Sequence, residues 1–545
     1  MANVPHSLSV CMIVKNEASN IREALESFTA FADEIIVVDT GSTDGTPNLA
    51  LSFTPHVYHC TWHDDFSAAR NFSLEKAGGA YCLWMDADDR VDALNAAKIN
   101  ALKREFDGRR AFAFELHDIR NGAPFRSLMQ IRCIPNRQDV RFKGRIHESI
   151  DWDRVQDELI PVNVDIVVTH HGYDDPVLLG RKINRNIRLL QMECEAGRDD
   201  ATLHYYLAMS FSHIGNRHAA IDHMGRALRD LEKRSFHAHG REAETLRTFR
   251  LDAQLFLVQE MLGLERRGDA RRLLAKLSCE PDPDPLTLFR IGAFYQSLNA
   301  HEDALQFFAR VDPDKQTPTV LPSPKLRRTD VVARIALSLF CSGRRDQALD
   351  QIRSLSDPVD RKEAWEIAGI LAAETGRYRL GAMAFERALS LGGLTASGWE
   401  QWGVVWDRIG DPQRAEQCWR KALRMDGGAE GAAIHLANLL WRENRKDEAF
   451  EIFGRIVRNG CCKVPVLLAY GVMACERKDE GALTSIRENL EVFLHDGRRR
   501  ETDALPSIFL SLARHLEDEG KEDLARLARR LARWEKSVGG QAHPE

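Results

Sequence analysis

The stretch Leu83-Trp-Met-Asp-Ala-Asp-Asp89 decides how the first part of this chain is read. Tyr81 to Met85 are apolar and β-prone, so they make a buried strand. That strand runs directly into Asp86-Ala87-Asp88 and then Asp89. A carboxylate cluster at the carboxyl end of a buried strand stands where an open α/β sheet presents groups to a ligand. Two aspartates two residues apart can share one hard cation with a diphosphate, because Mg²⁺-type ions use one or two carboxylates plus phosphate oxygens. The pattern points to nucleotide-sugar chemistry. An acidic triplet is also a common surface turn, so the flanking sequence has to decide.

Upstream, Glu34-Ile-Ile-Val-Val-Asp39 is a second apolar run ending in an acid, followed by the loop Thr40-Gly-Ser-Thr-Asp-Gly-Thr46-Pro47. Thr46 before Pro47 reads as an N-cap with proline at the first helical position. Ser9-Val-Cys-Met-Ile-Val14 is a strand and Lys15-Asn-Glu-Ala18 a loop. Asn20 with Glu23 makes a capping pair for a helix whose one face carries Ile21, Leu25 and Phe28. Strand, helix, strand, helix, strand gives a parallel α/β sheet whose loops open at one edge.

The ordered pieces Cys11-Met-Ile-Val-Lys-Asn-Glu17, Ile36-Val-Val-Asp-Thr-Gly-Ser-Thr-Asp-Gly45, Asp65-Phe-Ser-Ala-Ala-Arg-Asn71, Leu83–Asp89, Gly144-Arg-Ile-His-Glu148 and His170-His-Gly-Tyr173 resemble family 2 glycosyltransferases of the GT-A fold. They cover roughly the first third of the chain and are most similar to the bacterial branch whose first strand ends in Val-Lys-Asn-Glu. The resemblance implies an α/β nucleotide-sugar-binding domain with a mostly parallel sheet. It also implies a donor site lined by Val14, Lys15, Asn16, Glu17, Asp39, Ser42, Asp65, Arg70, Asp86, Ala87, Arg145 and Arg185. Asp39 is expected at the uracil ring, where a carboxylate can accept the N3–H in a charge-assisted bond; the plainer role is an acid that turns its own loop. Asp65 and Arg70 are expected near the base and diphosphate, with a solvated helix-face charge as the plain reading of Arg70.

Asp86 is expected at the ribose and metal and Asp88 as the more direct metal ligand, with His170, after the strand Val162–Val168, as the third candidate and His171 as the weaker one. Hard oxygen ligands suit Mn²⁺ or Mg²⁺. Such an ion bridges the two phosphates and offsets charge on the leaving group. Glu148 is the candidate base for a direct displacement, with His147 orienting it; alternatively both merely cap a following helix. Arg132, Lys143, Arg145, Lys182 and Arg185 are basic residues available to the diphosphate. The family often reads Arg-aliphatic-Phe-Arg where this chain has Arg132-Cys-Ile-Pro135, which bears on the acceptor-side wall.

From about residue 198 strand-like runs vanish and small residues recur. Ala348, Gly381, Ala415 and Ala449 are 33 or 34 residues apart, the tetratricopeptide period. Leu207-Ala208 with Ala220 and Ala227, Ile291-Gly292 with Ala304, and Trp402-Gly403 with Trp419 and Ala422 fit the same pattern. Segments 245–279, 463–494 and 504–536 are degenerate copies, the last serving as a cap. The expected organisation is a catalytic domain over 1–178, a connecting helix over 179–197, an all-α repeat domain over 198–536 and a tail over 537–545. Trp399, Trp402, Trp406 and Trp419 are expected in the repeat core rather than at a sugar. Some relatives in this branch glycosylate peptides or proteins, so the repeats are expected to hold a polypeptide acceptor.

A chain of 545 residues is long enough for two cores. Net charge of −6 with interspersed signs gives no basic stripe, so nucleic acid is not an expected partner. Arg498-Arg499-Arg500 reads as a solvated run. The 11 cysteines contain no Cys-x-x-Cys pair, and adjacent Cys461-Cys462 lack zinc-finger spacing, which suits a reducing cytoplasm. The first strand begins by Leu8 and no apolar run reaches membrane-spanning length. The leading expectation is a metal-dependent, inverting transferase using a UDP-type (or dTDP-type) sugar and a polypeptide acceptor. The same transferase acting on a glycan or lipid-linked acceptor, and a non-catalytic repeat scaffold, are the alternatives. On this view a chain cut at 198 keeps donor hydrolysis and loses acceptor transfer.

Overall fold

The computed structural model describes residues 6–120, 123–155, 159–172, 176–235, 238, 240–317, 321, 323–427, 429–458, 464–477, 479, 481–482, 485–486 and 529. The cap expected over 504–536 (Arg529 apart), the tail over 537–545, Arg498–Arg500, Cys461-Cys462 and Tyr173 lie outside the described residues.

The first strands and helices alternate: β1 (Leu8–Val14), α1 (Ile21–Phe28), β2 (Glu34–Asp39), α2 (Thr46–Leu51), β3 (Val57–His59), α3 (Phe66–Lys76), β4 (Tyr81–Met85), β5 (Asp89–Arg90) and α4 (Ala93–Leu102). β6 (Arg110–Arg120), β7 (Ala123–Pro135), β8 (Phe142–Lys143), β9 (Ser149–Ile150) and β10 (Ile160–His170) follow. The main sheet has the order β3-β2-β1-β4-β7-β6-β10-β5. β1, β2, β3 and β4 pair in parallel, whereas β7 runs antiparallel to both β4 and β6, so the sheet is mixed. Side chains alternate across the sheet, as the pleat requires. Leu8, Val10, Met12, Leu83 and Met85 pack with Ile21, Leu25, Phe28, Ile99 and Leu102 on one face. Cys11, Ile36, Val38, Cys82 and Trp84 pack with Leu74, Phe142 and Ile150 on the other.

Two local expectations fail at helix starts. Asn20 makes no side-chain cap to α1; it donates instead to Glu17 Oε2 at 2.8 Å, and Glu23 pairs with Arg90 at 3.2 Å. Gly45, not Thr46, is the N-cap of α2. The Thr46 hydroxyl instead accepts from the Glu17 amide at 2.8 Å, tying the loop after β1 to the loop after β2.

The helices then run α5 (Pro176–Glu195), α6 (Ala201–His213), α7 (Arg217–Ser235), α8 (Gly240–Gly263), α9 (Arg267–Leu277), α10 (Pro285–Ser297) and α11 (His301–Phe308). After the short strand β11 (Ser323–Pro324) come α12 (Arg328–Cys341), α13 (Arg345–Arg353), α14 (Pro358–Glu374), α15 (Tyr378–Ser390), α16 (Ala396–Ile409), α17 (Pro412–Met425), α18 (Glu430–Arg442), α19 (Lys446–Arg458) and α20 (Val464–Arg477). Consecutive helices pack in pairs, α6 with α7, α8 with α9, α12 with α13, α14 with α15, α16 with α17 and α18 with α19, and the segment 245–279 falls in α8 and α9. Within pairs, a small residue on the first helix meets a large one on the second: a Cβ on Gly292 would lie 2.7 Å from Phe308, and one on Gly369 3.0 Å from Phe385. Trp402 and Trp419 are buried core residues, and Trp399 and Trp406 pack against that core.

Strand-like structure does not end at residue 198. β11 pairs antiparallel with Ser127 and Arg126 of β7, because β4 covers only Cys133–Pro135 of that strand and leaves its first half an open edge. The chain forms two compact units, Met1–Ile291 with Asp312–Leu326, and Gly292–Val311 with Arg327–Glu545. The first unit thus extends past the change of character at residue 198 and includes the first helix pairs. Among the described residues no helix is long and apolar enough to cross a membrane.

Candidate active site

Three aspartates and a histidine meet at the carboxyl end of β4. Metal-binding atoms of Asp86, Asp88, Asp89 and His170 all lie within 4.8 Å of one another. Antiparallel pairing of β5 with the end of β10 sets His170 opposite Asp89, which explains how residues so far apart in sequence converge. His171 is not in this group; its backbone N–H donates to Asp88 O at 2.9 Å.

Asp89 is the structural member. It is fully buried, accepts from the Asp86 amide at 2.9 Å and pairs with Arg132 Nη1 at 2.8 Å. Burial opposes its charge, but Arg132 and His170 hold the carboxyl down to about 2. Arg132 lies beneath the cluster with its guanidinium 3.9 Å from the Trp84 ring. It supports the aspartates from inside the sheet, buried and paired with Asp89, and is not an exposed charge open to a diphosphate. Lys143, another candidate for the diphosphate, has its ammonium between Asp151 and Asp153 at 2.8 and 2.6 Å.

The Asp89 carboxylate also holds His170 Nδ1 at 2.9 Å. A carboxylate on one ring nitrogen fixes the tautomer and orientation of a metal-binding histidine. Burial pushes His170 down, yet the Asp89 bond and the charges of Asp88 and Asp86 raise it to about 9. Burial and the neighbouring aspartates push the Asp88 carboxyl up, against the lowering effect of His170. Three carboxylates crowded into one site with a histidine make a donor set that suits a divalent cation. Gly172 supplies the space. A Cβ there would lie 2.5 Å from Asp88 Oδ2 and 2.7 Å from His170 Nε2, so these two atoms border a volume that any side chain would fill. Oxygen and imidazole donors around such a cradle fit Mn²⁺ or Mg²⁺.

Arg70 connects this cluster to Glu148. It is buried, 2.7 Å from Glu148 Oε1 and 3.6 Å from Asp86 Oδ1, and its guanidinium lies 4.0 Å from the centre of the Trp84 ring. Arg70 is therefore not a solvated helix-face charge. Both Arg70 bonds to Glu148 fall on Oε1. Glu148 does not cap a helix: the short strand β9 follows it. Arg185 packs over Phe66 at 4.9 Å, and burial lowers its affinity for a proton while Glu148 raises it. Lys182 Nζ is 3.9 Å from Asp88 Oδ2.

The nucleoside-side candidates form a second group on the loops after β1 and β2. Asp39 accepts from the Gly41 amide at 3.1 Å and from the Ser42 amide at 3.2 Å, and lies 3.5 Å from His59. The loop-turning role of Asp39 is thus present in the structure. Ser42 Oγ accepts from the Asn16 amide at 2.9 Å, and Asn16 Oδ1 accepts from Thr43 at 2.8 Å. Asn16 has φ 57°, a left-handed conformation that asparagine tolerates. Val14 is buried in β1 and Lys15 exposed beyond it. Burial raises the Glu17 carboxyl, with Asp88 and Asp86 adding to it, so this group adjoins the acidic cluster. Asp65 is the N-cap of α3, accepting from the Ala68 amide at 2.9 Å, and Ala87 sits in the core. Arg145 donates to Asp64 O at 3.3 Å. Asp89, Gly172 and Tyr206 were not among the sequence candidates, and Arg132 was a candidate for the diphosphate rather than the buried partner of Asp89. Only Asp89 had a local signal, as the third acid of its run.

An α/β sheet with an acidic cluster and histidine at its strand ends, and a turn carrying Glu148 beside it, defines a nucleotide-sugar transferase type of domain. Residues 9–99 match the model of glycosyl transferase family 2. The chain carries a family 2 glycosyltransferase domain followed by tetratricopeptide-like helical repeats. It is 35% identical over 175 residues to the TPR repeat-containing protein Synpcc7942_0270 of Synechococcus elongatus, covering 30% of this chain and 42% of that one. It is 25% identical over 229 residues to the SPbeta prophage-derived glycosyltransferase SunS of Bacillus subtilis, covering 41% and 53%. It is 33% identical over 90 residues to the lipopolysaccharide core biosynthesis glycosyltransferase LpsC of Rhizobium meliloti, covering 16% and 33%. The chain spans about half the length, or less, of these curated relatives.

Proposed function

We propose that this protein is a metal-dependent, inverting glycosyltransferase that moves a sugar from a uridine (or thymidine) diphosphate donor to a polypeptide. The observation carrying this reading is the convergence of Asp88 Oδ2 and His170 Nε2 on the space over Gly172, with Glu148 joined to Asp86 through Arg70. Asp39, Ser42 and Asn16 would border the base and ribose. Asp86, Asp88 and His170 would hold Mn²⁺ or Mg²⁺, which when bound neutralises charge on the leaving diphosphate. Lys182 and Arg185 add positive charge on the same side. Glu148 takes the proton from the attacking hydroxyl or thiol, and Arg70 fixes the carboxylate in place through Oε1. Repeated helix pairs offer the extended surface that peptide segments use, which supports a polypeptide acceptor. The name of the LpsC relative favours a second reading, in which a glycan takes the sugar.

A donor screen tests the proposal. Purified protein with Mn²⁺ or Mg²⁺ and a panel of nucleotide sugars should release nucleoside diphosphate from one uridine-linked sugar and be thermally stabilised by it only when metal is present. Equal release in excess chelator would remove the metal assignment. Silence across the panel, with the repeats folded, would favour a scaffold.

A further inference from the structure

Glu148 ends a tight turn, Gly144 to Glu148, that is left-handed at two positions: Gly144 has φ 101° and His147 φ 52°. Glycine adopts this freely, but for histidine it is strained, so the surroundings must hold it. What holds it comes from α5 and α6. The Arg145 amide donates to Glu193 Oε1 at 2.5 Å, and Arg198 grips the other Glu193 oxygen at 3.1 Å. Ile146 is buried with Leu189, Leu190, Leu203 and Leu207. The His147 ring lies flat on Tyr206, with centroids 3.7 Å apart and planes within 5°. Neighbouring Tyr205 turns the other way, into the helix pairs, where its hydroxyl donates to Asp252. Burial and the Glu148 charge push the Tyr206 phenol up, so it stays neutral beside that carboxylate.

We propose that Tyr206, on the first repeat helix, is a positioning residue for sugar transfer: by stacking on His147 it holds the strained turn that presents Glu148. This rests on the reading of Glu148 as the base. It also changes the expectation for a chain cut at 198, because such a cut removes Tyr206, Leu203 and Leu207 from beneath the turn and damages the catalytic centre itself.

The test uses the full chain, the nucleotide sugar selected by the donor screen, Mn²⁺, and water as the acceptor. Tyr206→Phe keeps the flat ring and should stay within about twofold of wild type. Tyr206→Leu keeps bulk without the flat face; kcat for hydrolysis should fall about tenfold or more, with the donor KM unchanged and the basic-group limb of the pH profile shifted. In a His147→Gly background, where glycine relaxes the left-handed strain, the Tyr206→Leu penalty should shrink to within about twofold. Should Tyr206→Leu melt below wild type, Tyr206→Met gives the same comparison with a side chain that packs more adaptably. Wild-type kcat in the Leu or Met variant, an equal penalty in both backgrounds, or failure of the Phe variant would overturn the proposal. If wild type itself hydrolyses no donor, the transferase reading and this inference fall together; an active wild type matched by Tyr206→Leu sinks this inference alone.

Discussion

Around the acidic cluster, Arg70, Arg132 and Asp89 are buried and bonded to one another's neighbours. In the later helix pairs the network Arg445–Glu416–Arg420–Glu448 stays partly exposed, while the interior is glycine or alanine against Phe385, Trp419 and Phe453. A buried ion network gains little stability against a well-packed apolar core, because desolvation costs several kcal/mol per ion. Small-against-large packing, by contrast, gives stability with no polar group left to satisfy. The contrast teaches where each kind of substitution should be felt: in the site as lost turnover, in the repeats as lost stability.

The largest effect is expected from Asp88→Ala, which should cut nucleoside diphosphate release by about 100-fold or more, since several kcal/mol of charge stabilisation are removed at 1.36 kcal/mol per tenfold. Its melting temperature without metal should stay near or above that of wild type, because a buried carboxyl crowded by other acids is lost. A strongly destabilised Asp88→Ala protein would break the contrast. Gly172→Ala should come next, lowering metal affinity about 10- to 100-fold, the range seen when groups that orient metal ligands are altered, as measured by the Mn²⁺ concentration giving half-maximal thermal stabilisation.

On the repeat side, Trp419→Ala should cost about 3–5 kcal/mol as a cavity in the core, read as earlier denaturant unfolding of the helical transition. Hydrolysis per folded molecule should not change. The smallest effect sharpens the boundary between the two classes. Asp64 pairs with Arg188 at 2.6 Å, and that bond, against a little burial, holds its carboxyl down to about 2. A depressed carboxyl adds stability that is present above the unfolded value near 4 and is lost as pH falls towards 2. Asp64→Asn should therefore be less stable than wild type by under about 1 kcal/mol at pH 7, with the difference fading between about pH 4 and pH 2. A difference that grew as the pH fell would contradict it.

Much of the α/β region is legible in the order of residues because its strands announce themselves. The runs Leu8–Val14, Glu34–Asp39 and Tyr81–Met85 are short, apolar and bounded by loop residues, and each forms the strand it suggests. Capping was less legible: Asn20 and Thr46 had the right chemistry for caps, but each had a better partner in Glu17. The repeats were readable from the 33- or 34-residue period alone, since helix pairs stack on their neighbours and small residues must recur where helices touch.

What the sequence alone determined is the kind of fold and the identity of the groups at its strand ends, Asp86, Asp88, Glu148 and His170, because local periodicity and short motifs encode both. The tertiary structure alone decided what stands behind them. Arg132 under Asp89, Gly172 leaving room between Asp88 and His170, and Tyr206 under His147 each bring together residues 43 to 84 positions apart, or remove a side chain whose absence matters only once its neighbours arrive. Buried charge pairing, steric room and ring stacking depend on through-space distance, and no local pattern in the chain records that distance.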